Sequence, residues 1–488
     1  MAMEENEFIS NRLEKLDAIR DMGVSPYPPK TPDRSPVEFL RDTGETEEVL
    51  STSGRIMAMR KHGKTVFCDV ADSTGRIQLF INKKNLDDAG WELLGKLDLG
   101  DIIWVSGSLF VTRTGELSVR VGSLVLLVKA VRPMPVVKTD AEGDVHDAVS
   151  DPDFIYRHRS LDLMLNETSR NRFVARSRII TAIRGYLDSD GFLEVETPIL
   201  QQIYGGAAAD PFVSHYNSMD DQCYLRIATE LYLKRLLVGG IHRVYELGKD
   251  FRNEGVDRTH SPEFTQLELY EAWTDYEGMM TRFENIVQAA ARAAGVGPVV
   301  HFAGHDIDLT PPFKRIPFVS TLHKKSGEKL FEWSTERLSG LVSSLGLGDD
   351  IKERPALLDK LFDHYVTPGI IQPGFVVDYP VELSPLAKQK AGDPGITERF
   401  EAFAAGLELA NAFSEQNDPV YQRKVLEDQA ARSQHRRGVV DNEFLYALEV
   451  GMPPAGGLGI GVDRLVMILT GAASIRDTIL FPYLRREQ

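Results

Sequence analysis

The stretch FRNEGVDRTHSPEFTQLELYEAW, residues 251–273, constrains the chain more than any other segment. It ends one extended run, HRVYELGKDFRNE, passes through a turn, and opens a second, TQLELYEAW. Successive side chains of a strand point to opposite faces, so Glu268 and Tyr270 share a face of the second strand. The same alternation predicts Arg252 and Glu254 on one face at the end of the first. A sheet carrying this pair must present charged groups where most sheets bury apolar ones.

The residue types in and after this stretch suit a bound anion and base. Arg252 offers a planar fork for a phosphate or carboxylate, and Glu254 an acceptor for an exocyclic amine. By themselves these two would read as a surface ion pair. Arg258 and His260 follow in a loop, and Phe264 supplies a ring. A lone aromatic is usually core, yet a ring opposite an arginine is also how proteins sandwich a nucleobase. GGLGIGVDRL, residues 456–465, adds a glycine run that lets backbone approach a ligand, with Arg464 opening a helix beside it. Its spacing is not that of a P-loop. ERFEAFAAGLELANAFSEQND, residues 398–418, contributes Glu401, Glu408, Asn411 and Glu415. Glu408 and Glu415 are expected to be buried among apolar neighbours, and buried carboxylates need a metal ion, an ammonium or both.

At 488 residues, two or three domains are expected. Ile9, Leu13, Leu16 and Ile19 recur at helical spacing before Gly23, and prolines 26, 28, 29 and 32 predict an extended linker, so residues 1–50 form a first unit. Residues 51–135 change texture to four or five short β runs, with one helical stretch around Leu86 to Leu97, the pattern of an OB-type barrel. A polar linker over 136–152 leads to a unit over 153–488. There strands and helices follow without regular βαβα alternation, and a helical insertion is expected near 320–365. This pattern predicts an α+β fold with a mostly antiparallel sheet flanked by helices.

The net charge of −16 argues against general attraction to nucleic acid. The charge is uneven, however. Between Gly54 and Arg132 there are 12 Lys and Arg against 8 Asp and Glu, a local +4 that hints at a polyanion partner for the barrel. Two distant cysteines, Cys68 and Cys223, exclude a disulfide framework and a cysteine-based zinc site. With no long apolar run and no signal-peptide pattern at MAMEENEFIS, no membrane association and a cytoplasmic setting are expected.

GFLEVETPIL, FRNEG…THSPEFTQLELY and GGLGIGVDRLVMILT resemble, in order, the three motifs of class II tRNA synthetases. ATELYLKRLLVGG, DYPVELSPLAK and LELANAFSEQND resemble elements of the lysyl-tRNA synthetase branch, so the resemblance runs from near residue 8 to the C-terminus. It implies a six- or seven-stranded antiparallel catalytic sheet, an anticodon-binding OB domain and a homodimer with Pro198 at its interface. The implied reaction is ATP-dependent ligation of L-lysine to tRNA-Lys through a lysyl-adenylate. Arg252 would hold the lysine carboxylate and the ATP α-phosphate, Glu254 the adenine amine, and Phe264 with Arg464 the two faces of adenine. Arg464 would also lie near the γ-phosphate, His260 and Arg258 would hold outer phosphates, and Glu401 and Glu408 would bind Mg²⁺. Glu230, with Gly206 nearby, would take the α-ammonium; Glu268, Tyr270 and Glu415, with Asn411 beside them, the ε-ammonium. In the barrel, Phe67 would stack an anticodon base and Arg60, Gln78 and Glu116 would contact bases or backbone, although a core ring is the competing reading for Phe67.

Three positions depart from the family pattern: Asp210, Ser261 and Leu407. An aspartyl- or asparaginyl-type synthetase is the nearest rival, and paired glutamates at 268 and 415 oppose its anionic or neutral substrate. A lysyltransferase paralogue acting on an elongation factor lacks the barrel, and a non-catalytic RNA-binding paralogue would have lost a motif arginine or a metal carboxylate. Synthesis of diadenosine tetraphosphate from the adenylate is a side reaction that the resemblance allows.

Overall fold

Strict alternation of buried and half-buried side chains curls the first part of the chain into a barrel. The computed structural model describes residues 2–135, 138–139, 145–146, 151–207, 209–348, 351–432 and 440–485, and separates into units of residues 1–151 and 152–488. The linker expected over 136–152 lies mostly outside the described residues. In the first unit, β1 (Thr46–His62), β2 (Thr65–Ala71), β3 (Arg76–Asn82), β4 (Ile102–Val111) and β5 (Leu117–Val128) close in the order β1-β2-β3-β5-β4. Val66, Cys68 and Val70 of β2 and Ile77, Leu79 and Ile81 of β3 point inward.

Helix α1 (Ala2–Asp21) and a helix not expected from the proline run, α2 (Val37–Thr43), pack on the same core through Ile19, Val37 and Leu40. Asp72 holds the start of α2 by accepting from the Val37 N–H at 3.0 Å. A seven-residue helix has too little periodicity to be read from sequence. Helix α3 (Asp88–Leu94) occupies the expected helical stretch, capped by Asp87.

The second unit is organised by an eight-stranded sheet. Its strands are β6 (Leu193–Glu194), β7 (Arg243–Phe251), β8 (Glu263–Ala272), β9 (Lys314–Pro317), β10 (Gly374–Val377), β11 (Arg399–Ala404), β12 (Leu407–Ser414) and β13 (Ala455–Gly461), in the order β9-β10-β11-β12-β13-β8-β7-β6. The sheet exceeds the expected six or seven strands because a short parallel strand flanks each edge, β6 on β7 and β9 on β10. The strand expected over GFLEVETPIL joins this sheet only at Leu193 and Glu194. Beyond it the chain leaves the sheet, where the Glu246 carboxylate accepts from both the N–H and the hydroxyl of Thr197.

One face of this sheet is apolar. Leu267, Leu269, Leu458, Ile460, Ala410 and Ala412 form a continuous core with α4 (Glu167–Ser189) and α6 (Tyr276–Ala294). On α6, the Asp275 cap and left-handed Gly295 mark the ends, as expected of a helix with these signals. Helix α5 (Glu230–Val238) ends at Gly239 and Gly240. The insertion is helical as expected, with α7 (Phe318–Ser326), α8 (Thr335–Ser344) and α9 (Arg354–Tyr365) around a core of their own. Helix α10 (Asn442–Gly451) packs on α5, and α11 (Val462–Thr470) follows β13 directly. Among the described residues, no helix is long and apolar enough to cross a membrane.

Buried Asp463 fastens α11 to the sheet. One carboxylate oxygen accepts from Arg176 at 2.5 Å, the other from the Thr265 N–H at 2.7 Å. Arg176 also donates to the Thr265 hydroxyl at 2.8 Å. Removing one member of a buried pair strands the other charge, so Asp463→Ala is expected to lower stability by about 3 kcal/mol in urea unfolding of the full chain. A loss below about 1 kcal/mol would mean that the pair merely balances its own desolvation.

Candidate functional site

The opposite face of the sheet is polar, and register places its residues in rows. Glu246, Glu268, Gly459, Asn411 and Glu401 stand side by side across β7, β8, β13, β12 and β11. One pleat away, Val244, Tyr270, Gly457, Phe413 and Arg399 form the next row. Glycines in β13 open the middle of this face. An ideal Cβ on Gly457 would stand 2.0 Å from Glu415 Oε1 and 2.5 Å from the Tyr270 ring, so only a glycine lets those two side chains lie across the strand.

Three carboxylates meet there. Glu230, Glu268 and Glu415 retain only 7%, 4% and 1% of their exposure. Glu268 accepts from the Thr229 hydroxyl at 2.8 Å and from Gln266 at 3.0 Å. Glu415 places Oε2 at 2.5 Å from the Lys234 ammonium as an ion pair without hydrogen-bond geometry, while its buried Oε1 has neither an ion pair nor a hydrogen-bond partner. Lys234 also pairs with Glu230 one helical turn away on α5. Gly206, at a positive φ, lies against Glu230, whose Oε2 would be 3.8 Å from a Cβ there. Burial pushes Glu268 up to about 8, with Asp250 and Glu230 adding to it. Burial likewise pushes Glu415 up to about 8, Lys234 opposing and Glu230 adding. Tyr270 is raised well above its ordinary value by burial beside the same carboxylates. A pocket holding more buried negative charge than it can neutralise takes up protons until a cation arrives.

Asn411 is not free for this pocket. Its side-chain oxygen accepts from Arg399 Nε at 3.0 Å, which assigns it to the neighbouring charge cluster. In that cluster Glu401 accepts from Arg399 at 2.5 Å and from the Tyr379 hydroxyl at 2.7 Å. Burial raises Glu401 to about 8, Arg399 opposing and Glu408 adding. Glu408 is not buried as expected: its side chain is 42% exposed, and one oxygen lies 3.4 Å from Arg464. The bulge between Ala402 and Phe403 breaks the register beside it. Two neighbouring carboxylates with hard oxygens fit a magnesium ion that brings its remaining ligands as water and phosphate. Among the described residues there is no cluster of three or more metal-ligating side chains.

Arg252 and Glu254 do not share a strand face, because β7 stops at Phe251. Arg252 lies in the connection, its N–H bonded to Pro262, and its guanidinium stands 5.0 Å from the centre of the Phe264 ring. Glu254 and Arg258 are exposed, Arg258 donating to the Ala473 carbonyl at 3.1 Å. His260 pairs with Asp257 at 2.8 Å, and Arg464 reaches His260 Nε2 at 2.9 Å and the Glu408 carbonyl at 2.8 Å. Arg464 thus ties the loop to the sheet. Of the departures from pattern, Asp210 bonds through its carbonyl to the Asn253 N–H at 2.7 Å. Sequence reasoning missed Thr229, Lys234, Arg399 and Tyr379. The Glu230–Lys234 spacing of four on a helix was the one available signal.

Pro198 is exposed, next to exposed Ile199 and Leu200. On the barrel, Phe67 lies outside the core: its neighbours Val66 and Cys68 point inward, and its ring meets Phe80 edge-on at 5.5 Å. Phe80 meets Phe110 in the same way, and Arg120 covers Phe110 at 4.7 Å. Arg60 pairs opposite Phe67 across the strands and is 3.3 Å from Asp69. Gln78 accepts from Ser118 at 3.0 Å, and Glu116 is exposed at the start of β5. An outward aromatic row flanked by arginines is a stacking surface for unpaired bases.

Residues 151–485 match the family described as tRNA synthetases class II (D, K and N), and residues 50–127 match the OB-fold nucleic acid binding domain. The chain is 46% identical to the lysine–tRNA ligase of Moorella thermoacetica, over 99% of both chains. It is 45% identical to that of Pelotomaculum thermopropionicum over 98% of this chain and 95% of the relative, and 44% identical to that of Dehalococcoides mccartyi over 99% and 98%.

The protonated pocket has a testable sign. Glu268 and Glu415, raised from the ordinary 4.5 to about 8, hold protons in the folded chain that the unfolded chain releases. Their contribution to stability is therefore present at low pH and lost as pH rises through about 8. An ammonium in the pocket reverses the shift, so its binding expels protons and tightens with rising pH. Calorimetric titration with L-lysine in two buffers of different ionisation enthalpy should show proton release at neutral pH. Buffer-independent heats would refute it.

Proposed function

The chain belongs to the class II tRNA synthetases as a lysine–tRNA ligase, and we propose that its substrates meet over the polar face of the catalytic sheet. The enzyme is ATP-dependent and ligates L-lysine to tRNA-Lys through a lysyl-adenylate. A lysine carboxylate oxygen attacks the α-phosphorus of ATP, the bond to the bridging oxygen breaks, and pyrophosphate leaves. The 3′-terminal ribose hydroxyl of tRNA then attacks the carbonyl carbon, and AMP leaves. Neither step needs a nucleophile from the protein, so rate comes from positioning and charge neutralisation.

The observation that carries the assignment of substrate is the buried trio Glu230, Glu268 and Glu415, with Glu415 Oε1 open. Such a pocket favours a ligand with two ammonium groups and penalises an apolar or anionic one by leaving buried charge unpaired. Glu230 beside Gly206 takes the α-ammonium, and Glu268, Tyr270 and Glu415 take the ε-ammonium. Asn411 acts indirectly, by fixing Arg399. Arg252 holds the substrate carboxylate and the α-phosphate. Phe264 and Arg464 enclose the adenine, whose amine Glu254 reads, and His260 and Arg258 hold outer phosphates. Glu401 and Glu408 hold Mg²⁺, which neutralises phosphate charge when bound. The exposed apolar residues around Pro198 form the interface of a symmetric homodimer, and the reaction belongs to the cytoplasm.

The barrel reads the anticodon through Phe67, with Arg60, Gln78 and Glu116 around it. The outward row Phe67, Phe80 and Phe110 supports this role, since rings on that face are free to stack.

Two measurements test the reading. Pyrophosphate exchange with each of the twenty amino acids should depend on lysine, and Arg252→Ala should lower it by about a thousandfold or more. Near-normal exchange in that variant would remove Arg252 from its role. Phe67→Ala should lower kcat/KM for tRNA charging about tenfold or more while leaving lysine-dependent exchange unchanged. Equal loss of both would give Phe67 a folding role.

A further inference from the structure

We propose that Lys234 is a specificity-determining positioning residue: an internal ammonium that binds one oxygen of each lysine-binding carboxylate at the two ends of the pocket and leaves the other oxygen for the substrate. The proposal rests on the lysine-binding reading given above.

Lys234 is 1% exposed and lies on α5 among the buried residues Glu230, Leu233 and Leu237. A lysine at that depth is unfavourable unless it is paired. Here it pairs twice. Its ammonium contacts Glu230 Oε1 and, at 2.5 Å, Glu415 Oε2. The remaining oxygens are not engaged by Lys234. Glu230 Oε2 lies on the side of Gly206, and Glu415 Oε1 presses on Gly457 without a hydrogen-bond partner. The ammonium is further enclosed by rings, 5.2 Å from Phe413, 5.9 Å from Phe444 and 6.0 Å from Tyr270. A cation over aromatic faces in a dry site is held strongly. Burial opposes its charge, but Glu230 and Glu415 outweigh burial and raise it above the ordinary lysine value. It stays an ammonium at every physiological pH.

The balance of charge explains why such a group is present. Glu230, Glu268 and Glu415 carry three negative charges and Lys234 one positive, a surplus of two. L-lysine brings two ammonium groups, while its carboxylate faces Arg252. Substrate and pocket cancel. Without Lys234 the surplus would be three, and one carboxyl would keep a proton in place of the missing cation. That carboxyl would no longer attract an amine, and the open oxygens would lose their fixed direction. Lys234 acts through Glu230 and Glu415 and does not touch the substrate.

The test uses the full chain in lysine-dependent pyrophosphate exchange. Lys234→Met keeps the length and removes the charge. It should melt cooperatively and raise lysine KM about tenfold or more, with kcat and the KM for ATP within about threefold of wild type. The groups facing position 234 are Glu230, Glu268, Tyr270 and Glu415, with Asp250 acting on Glu268. The pH at which lysine KM levels off should therefore move upward in the variant, because a more tightly held proton must leave first. Lys234→Arg, which restores the charge, should recover lysine KM to within about threefold of wild type. Unchanged lysine KM in a folded Lys234→Met, or a parallel loss of kcat and KM for both substrates with an unmoved pH profile, would overturn the proposal. If Lys234→Met does not fold, Lys234→Gln takes its place, and failure of both to fold would leave Lys234 a purely structural residue. A wild-type chain without lysine-dependent exchange would instead sink the ligase reading itself.

Discussion

Like charges held together out of water govern the catalytic unit. Glu230, Glu268 and Glu415 come from a helix, a central strand and the end of another strand, and they converge on a space that none could occupy unpaired. The arrangement persists because each carboxylate has a partner: Thr229 and Gln266 donate to Glu268, and the Lys234 ammonium pairs with Glu230 and Glu415. A pocket so organised is a poor contributor to stability and a good recogniser of cations. Its cost is offset by the other face of the same sheet, where Leu267, Leu269, Leu458 and Ile460 join the largest apolar core.

That two-faced sheet also explains how charges of opposite sign are kept apart over a short distance. The carboxylates proposed to bind amines lie over β8 and β13, and the Arg399, Glu401 and Glu408 cluster lies over β11 and β12. Asn411, in the row between Glu268 and Glu401, is bonded to Arg399 and so fixes the boundary. Arg252 and Arg464 sit on connections instead of strands, yet both are tethered: Arg252 by the Pro262 bond and the Phe264 ring, Arg464 by His260 and Glu408. Positioning by rigid strands and tethered loops suits a reaction that uses no protein nucleophile.

Much of this was legible before the structure. Alternation in TQLELYEAW gave Glu268 and Tyr270 a common face, and short β runs with one helix announced the barrel. Three misreadings share a cause. The strand over GFLEVETPIL shrinks to two residues in this sheet because Glu246 captures Thr197, a contact 49 positions away in sequence. Arg252 and Glu254 lose their common face because the strand stops at Phe251, three residues before the end of the expected run. Lys234 drew no role from the sequence, since nothing local reveals that α5 has no solvent side at that position. Local pattern carries the period of an element, whereas its end and its surroundings are set by residues far along the chain.

Selectivity follows from the same geometry. An aspartyl- or asparaginyl-type site on this architecture would need a cation, or a neutral donor, facing the substrate side chain. Here the buried cation Lys234 is already spanned by two carboxylates, so an incoming carboxylate would add negative charge to a pocket that already holds more than it can neutralise. Rejection of anions comes from repulsion at a preformed site, and rejection of apolar side chains from charge left unpaired. Both penalties would be built into side chains held by hydrogen bonds and by the glycines of β13.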